Sequence, residues 1–246
     1  MNIKINDIEI FDELIKSVVR IVPDAQFEIN AEGVNLKVIN DSQTIRAFFK
    51  SDCMTSDENV TFCFKDLLNL KKSVDLIPMI EGDNECEIKF NKSFLEYKSD
   101  VKFKLKVVKS DIIENYITKD ITATLQPIFT FDTETENIKQ VIQCTNIVND
   151  SDCKVYFSKS DEDKVICEID DKTNTMANSV GIPISDDIDG DIDKPIAMSI
   201  DNFQSFAILP GADVINVCYT DKNVFEIRCN YQDSIELYMI ATTLKA

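Results

Sequence analysis

Five basic side chains sit where they could act together. Lys16 and Arg20 lie four residues apart, Lys71 and Lys72 are adjacent, and Lys139 stands in a third segment of similar character. All five fall within stretches free of Asp and Glu, which cover residues 14–22, 67–74, 137–149 and 202–212. The chain has 246 residues, 44 acids, 26 bases and a formal charge of −18, and at that density the four stretches together should hold about seven acids. An acidic protein that keeps one set of surfaces clear of carboxylates presents them to a polyanion. Asn69, Gln140, Gln143, Asn146, Asn202 and Gln204 add polar groups that do not repel one, although the fourth stretch carries no base.

Other chemistries find few residues to run on. There is no histidine, which removes the commonest general base, the Ser-His-Asp and Cys-His nucleophile systems and most zinc sites. Five glycines form no phosphate-cradling loop. The eight cysteines include no CxxC pair, and several, such as Cys167 and Cys218, alternate with apolar residues as small buried hydrophobes do in a reducing compartment. The acidic run Asp186–Asp193 resembles a calcium loop but fails the EF-hand spacing, because Gly190 at the sixth position places Ile196 where a bidentate Glu is required. It reads as a solvated loop between strands. Neither a catalytic set, a metal site nor a cofactor is expected. The N-terminus carries acids and lacks the apolar core of a signal peptide, and no apolar run reaches the length of a membrane span.

The acid-free stretches need helices to position them, and periodicity supplies four. Residues 10–22 place Phe11, Leu14, Ile15, Val18 and Val22 on one face, with Asp12 and Glu13 expected in the first turn and a strand expected over 2–8. Asp66 opens a short helix over DLLNLKKSV. NIKQVIQCTNIV and DNFQSFAIL give the other two. Between them run alternating segments: FEIN, GVNLKVI, TIRAFF, VTFCF, CEIKF, SFLEY and VKFKLKVV in the first half, and ATLQPIFTFD, CKVYFS, KVICEID, NSVGIPI, IAMSI, INVCY, VFEIRC and IELYMIATTL in the second.

The two halves follow one order. Val34-Leu36-Val38 lies over Val165-Cys167-Ile169, and Phe62-Phe64 with Leu67-Leu70 over Met198-Ile200 with Phe203-Phe206. The pattern predicts an α+β fold made of two tandem copies of one domain, each a mostly antiparallel sheet with two helices on one face. The expected domains are 1–117 and 118–246, with a connector at about 109–121. A single irregular β-sandwich with incidental helices is the alternative.

The residues Glu32-Gly33-Val34-Asn35-Leu36-Lys37, followed by Asn40-Asp41-Ser42, resemble the first-domain "GVNL" strand and "DS" turn of the proliferating-cell-nuclear-antigen (PCNA) type of DNA sliding clamp. The steps from VTFCF into DLLNLKKSV and from IAMSI into DNFQSFAIL resemble the strand-to-helix element of each domain in that family. The topological resemblance spans the chain, whereas matching residues are confined to these short stretches.

That resemblance implies curved sheets and a ring of three copies, with helices lining the hole. Lys16, Arg20, Lys71, Lys72 and Lys139 would then face duplex DNA without reading its sequence. The strand bearing Lys102, Lys104 and Lys106 would pair across the subunit interface with NSVGIPI, which carries Val180 and Ile182. The alternative is that these lysines blunt a free sheet edge. A clamp-binding motif of DNA polymerase or other replication proteins would dock among Ile39, Ile45, Tyr116, Ile117, Ile240 and Ala241, though Thr242 stands where the family often has proline. A clamp loader is implied as a further partner. The expected setting is intracellular: host cytoplasm if the source is a phage, the nucleus or a viral replication site if it is eukaryotic. Other readings are a subunit of a heteromeric clamp, a monomeric viral processivity factor, or an acidic calcium-binding module.

Overall fold

The computed structural model describes residues 1–108, 125–148, 152–172, 179–209 and 211–244. The chain divides into two compact units, Met1–Lys119 with Gln232–Leu237, and Asp120–Tyr231 with Tyr238–Ala246. The expected connector at 109–121, with Tyr116 and Ile117, lies outside the described residues.

Unit one opens with β1 (Asn2–Ile5) and α1 (Ile8–Val19). The strand is shorter than alternation implies, because Asp7 caps the helix, its carboxylate accepting from the N–H groups of Glu9 at 2.9 Å and Ile10 at 3.1 Å. Asp12 and Glu13 therefore occupy the second turn, not the first, and Glu9 takes the dipole-facing position. The unit continues with β2 (Ala25–Asn30), β3 (Gly33–Ile39), β4 (Ile45–Ser51), β5 (Met54–Thr55), β6 (Val60–Phe64), α2 (Leu67–Val74), α3 (Leu76–Ile80), β7 (Cys86–Phe90), β8 (Phe94–Lys98) and β9 (Lys102–Lys106). Asp66 caps α2 through the Asn69 N–H, as its position predicts.

Helix α3 escapes sequence reading because Pro78 looks like a breaker. At the third helical position, however, its missing N–H has no intrahelical partner to lose. Gly33, at φ +148°, brings the chain so close to β4 that a Cβ would meet the Ser51 carbonyl oxygen.

Unit two repeats the plan with β10 (Pro127–Glu134), α4 (Thr135–Val148), β11 (Lys154–Lys159), β12 (Val165–Asp170), β13 (Val180–Ser185), β14 (Asp189–Gly190), β15 (Ile196–Ser199), α5 (Ile200–Gln204), a 3-10 turn at Ser205–Ala207, β16 (Val214–Thr220), β17 (Val224–Tyr231) and β18 (Ile235–Thr242). Strand order makes the duplication explicit. The sheet β5–β1–β7–β8–β9 is matched by β14–β10–β16–β17–β18, and β6–β2–β3–β4 by β15–β11–β12–β13. Two elements differ from expectation. Ile200 begins a helix rather than ending a strand, because Ser199 caps it through the Asn202 N–H at 3.2 Å. The acidic run contributes the two-residue strand β14, whose Gly190 lies opposite Phe129 of β10.

Alternation builds each core. Val34, Leu36 and Val38 of β3 and their counterparts Val165, Cys167 and Ile169 of β12 all point inward and are buried. Phe27 stacks on Phe62 at 5.0 Å in unit one. In unit two Phe157 gathers Phe203, Phe206 and Phe225 with ring centroids within 5.8 Å, fastening α5 and its 3-10 extension to the sheets. Each such ring contributes about 2–3 kcal/mol of burial.

Candidate nucleic-acid interface and partner surfaces

Helices α1 and α2 pack together, and their bases are less free than the sequence implies. The Asp12 carboxylate, one turn before Lys16, reaches Lys16 Nζ at 2.5 Å and Lys71 Nζ of α2 at 2.5 Å. Glu13 takes a second contact to Lys16 at 2.6 Å, and Asp75 one to Lys71 at 2.6 Å. The result is a charge clasp tying the two helices. Burial opposes ionisation of Asp12, but hydrogen bonds from Lys16 and Lys71 more than offset it and hold the carboxyl below its ordinary value. Hydrogen bonds from Asp12 and Glu13 raise Lys16. Lys71 is also raised, its burial outweighed by Asp12 and Asp75.

Lys139 of α4 pairs with Glu136 at 3.4 Å. Lys72 and Arg20 are exposed where α2 and α1 end, at the negative pole of each helix dipole. The absence of acids from the four stretches is thus partly undone by acids of the same helices, Asp12 and Glu13 in α1 and Glu136 in α4. This correction depends on helix register and on contact between α1 and α2.

The apolar residues expected near the docking site divide by burial. Ile39 is half-buried on β3, and Ile45 is buried at the start of β4. Ile240 and Ala241 are 6% and 0% exposed within β18, so they belong to the core rather than to an open surface. The residues just beyond them line a groove instead. A concavity of about 810 Å³ in unit two is bounded by Ile128, Ile196, Ala197, Tyr219, Val224 and the segment Thr242–Leu244. Its wall is fixed where the Leu244 N–H donates to the Ala197 carbonyl at 2.8 Å and the Thr243 hydroxyl to the Asn223 carbonyl at 2.8 Å. Ile128 is 49% exposed there. Asp191, Asp193, Lys194 and Lys222 also line the groove.

Among the described residues, strands β9 and β13 each lie at the edge of their unit's sheet, with a hydrogen-bonded neighbour on one side, β8 and β12 respectively. Pro183, which cannot donate to a ladder, fits such a position. Val180 and Ile182 are half-buried on β13, and Lys102, Lys104 and Lys106 project into solvent from β9. A cleft of about 700 Å³ beside β13 is lined by Asp132, Glu134, Asp186, Asp187 and Asp189. Among the described residues, no three Cys, Asp or Glu side chains converge as metal ligands would.

No protein-family model matches the sequence, and neither does any curated protein. Solved structures do match along the whole chain. A structure of A. fulgidus PCNA bound to the C-terminal region of FEN-1 aligns with a TM-score of 0.77 at 12% identity, covering 100% of this chain and 99% of that one.

The chain has the PCNA fold.

PCNA from Entamoeba histolytica aligns at 0.74 with 13% identity, over 99% and 98% of the two chains. The PCNA2–PCNA3 complex of Sulfolobus tokodaii aligns at 0.71 with 8% identity, over 99% of each. At these identities the fold persists while almost every side chain has changed, so the surfaces must be argued from this chain's own residues.

Sequence reading missed three surface features within this PCNA fold. One is the groove, whose lining combines four separated segments. Another is the apolar end of α3, where Leu76, Met79 and Ile80 are 41%, 78% and 61% exposed. The LIPMI run was a visible signal for it, hidden by Pro78. The third is the Asp12 clasp. Among the described residues no helix is long and apolar enough to cross a membrane.

Proposed function

We propose that this protein is a DNA sliding clamp. Copies join head to tail, β9 of one adding to β13 of the next, until the rotation closes into a ring. Duplex DNA passes through it along the helix faces of both units. The observation carrying this reading is the strand-for-strand duplication over a chain that matches PCNA structures from end to end. A closed ring holds DNA by topology, so the attraction can be weak and directed at phosphates. Lys72 and Arg20, exposed at the helix ends, contribute to it together with Lys16, Lys71 and Lys139, the last three of which carboxylates already engage. The exposed end of α3 is an apolar patch suited to burial against a second copy. The reading assigns no reaction, metal or cofactor to the chain and places it wherever its DNA is replicated.

The groove beside Thr242–Leu244 is the proposed dock for a short segment with apolar anchors from DNA polymerase or another replication enzyme. The A. fulgidus PCNA structure, which holds the C-terminal region of FEN-1, supports a site for such segments. Ile39, Ile45, Tyr116 and Ile117 remain proposed contributors, as does a clamp loader among the partners.

Solution mass by light scattering across a dilution series tests the assembly. A homotrimer has three times the mass of the 28.0 kDa chain, about 84 kDa. A monomer at every concentration would refute the homomeric ring and favour either a heteromeric clamp subunit or a monomeric processivity factor. The S. tokodaii PCNA2–PCNA3 complex makes the heteromeric form a concrete second reading.

A further inference from the structure

The solvent face of the sheet β7–β8–β9 inverts the charge of the protein. Lys89, Lys98, Lys102, Lys104 and Lys106 are all exposed and project from the same side of the sheet. Glu96 lies among them, opposite Lys89 on one strand and Lys104 on the other, and 2.9 Å from Lys98. Acids return on the β1 side, where Glu87 faces Lys4 across the strands and Glu85 pairs with Lys4 at 2.9 Å. Lys98 and Lys102 stand directly opposite each other, an arrangement of like charges that Glu96 offsets at Lys98. Blunting of an edge accounts for lysines on β9 but not for Lys98 or Lys89, which lie on interior strands.

We propose that this face is a second nucleic-acid-binding surface, built for a single strand held by its phosphates. Three features select that ligand. Alternate residues of β9 set its lysines about 6.8 Å apart, a spacing on the scale of successive phosphates along a nucleic-acid backbone. Successive lysines can therefore meet successive phosphates, and the selection of a single strand rests on an aromatic ring that needs an unpaired base. Phe94 lies on the same face beneath Lys104, whose Nζ is 4.3 Å from the ring centre, and offers a base an aromatic surface. Sheet faces with aromatic residues hold single-stranded nucleic acid in this way. An acidic peptide strand would instead add to an edge, where backbone donors and acceptors are available, and this is a face. The site uses elements other than α1 and α2, so it stands whether or not copies close into a ring.

Fluorescence anisotropy with a labelled 20-mer of deoxythymidine tests it on the full chain. Five phosphate contacts predict an affinity that falls on the order of 100-fold between 50 and 200 mM salt. Replacing Lys89, Lys98, Lys102 and Lys104 together by Gln should weaken binding at 50 mM at least tenfold, with the circular dichroism spectrum unchanged. Phe94→Leu should weaken it about fivefold. The joint change Arg20→Gln with Lys72→Gln should not reproduce the loss. No binding by the natural protein, full binding by the four-lysine variant, or equal binding of a 20-residue polyglutamate peptide would each overturn the proposal. So would a Phe94→Leu variant as tight as the natural chain. Solution mass, which tests the ring, is a separate measurement, so either reading can fail alone.

Discussion

Replacing Asp12 by Asn should move stability and DNA binding in opposite directions. The substitution keeps the shape of the side chain and one acceptor oxygen but removes the charge between Lys16 and Lys71, each 2.5 Å away. Lys71 is largely buried, with 18% of its side chain exposed, and keeps Asp75, while the more exposed Lys16 keeps Glu13. The lost charge-assisted contact on a half-buried clasp should cost about 1–2 kcal/mol, and for a chain of this size that lowers the thermal midpoint by roughly 3–6 °C.

The sign with pH follows from the clasp. Asp12 titrates below its ordinary 3.8, so its contribution is complete above that pH and is lost as pH falls through the lowered value. Lys16 and Lys71 titrate above 10.5, so theirs is present below that pH and lost as it rises through the raised values. The gap between variant and natural protein should therefore be wide at pH 7 and close in strong acid. Meanwhile the helix face gains one net positive charge. If DNA lies along α1 and α2, one further phosphate contact steepens the slope of log affinity against log salt by up to about 0.9. Thermal denaturation and duplex binding at four salt concentrations read both effects. A lowered midpoint with an unchanged salt slope would refute the placement of DNA on these helices. An unchanged midpoint would refute the clasp.

Ile128→Asp should abolish capture of a clamp-binding peptide, read by calorimetry, without changing the thermal midpoint, since Ile128 is 49% exposed on the groove. Ile240→Asn should instead lower stability by about 3 kcal/mol, because it buries an amide in place of a core side chain; selective loss of peptide binding there would return Ile240 to the docking surface. Gly190→Ala should release β14 from β10 and cost about 2 kcal/mol, read by denaturant unfolding. At φ +105° an added Cβ meets the Ile128 carbonyl oxygen at 2.5 Å and Phe129 Cα at 2.8 Å. In native protein, a thiol-reactive dye should label Cys144 first, because it is half-exposed on α4 and the other seven cysteines are buried. Burial also pushes the Cys53, Cys86 and Cys229 thiols up to about 12, leaving little thiolate to react.

Most of the fold was legible because strands and helices are local. A period of two placed Val34, Leu36 and Val38 facing inward without knowledge of their partners, and a period near 3.6 did the same for Leu14, Ile15 and Val18. Capping was local too: Asp66 marked the start of α2 from four residues of sequence. The local signals failed where two of them competed. Asp7 could extend a strand or cap a helix, and Pro78 could break a helix or sit in its first turn. The short strands β5 and β14 carry two residues each, too few for any period to register.

The site followed the same division. The sequence by itself determined the duplication, the inward pattern of strands such as β3 and β12 and the absence of acids from four stretches of the chain, since each is a property of neighbours along the chain. Tertiary structure alone decided what those helix faces present. Asp12 and Lys71 are 59 positions apart in sequence and meet only because α1 packs on α2. The five lysines of β7–β9 come from three segments, and cross-strand register alone brings them onto one face. Electrostatic interaction depends on distance in space, and a sequence orders its charges only along the chain.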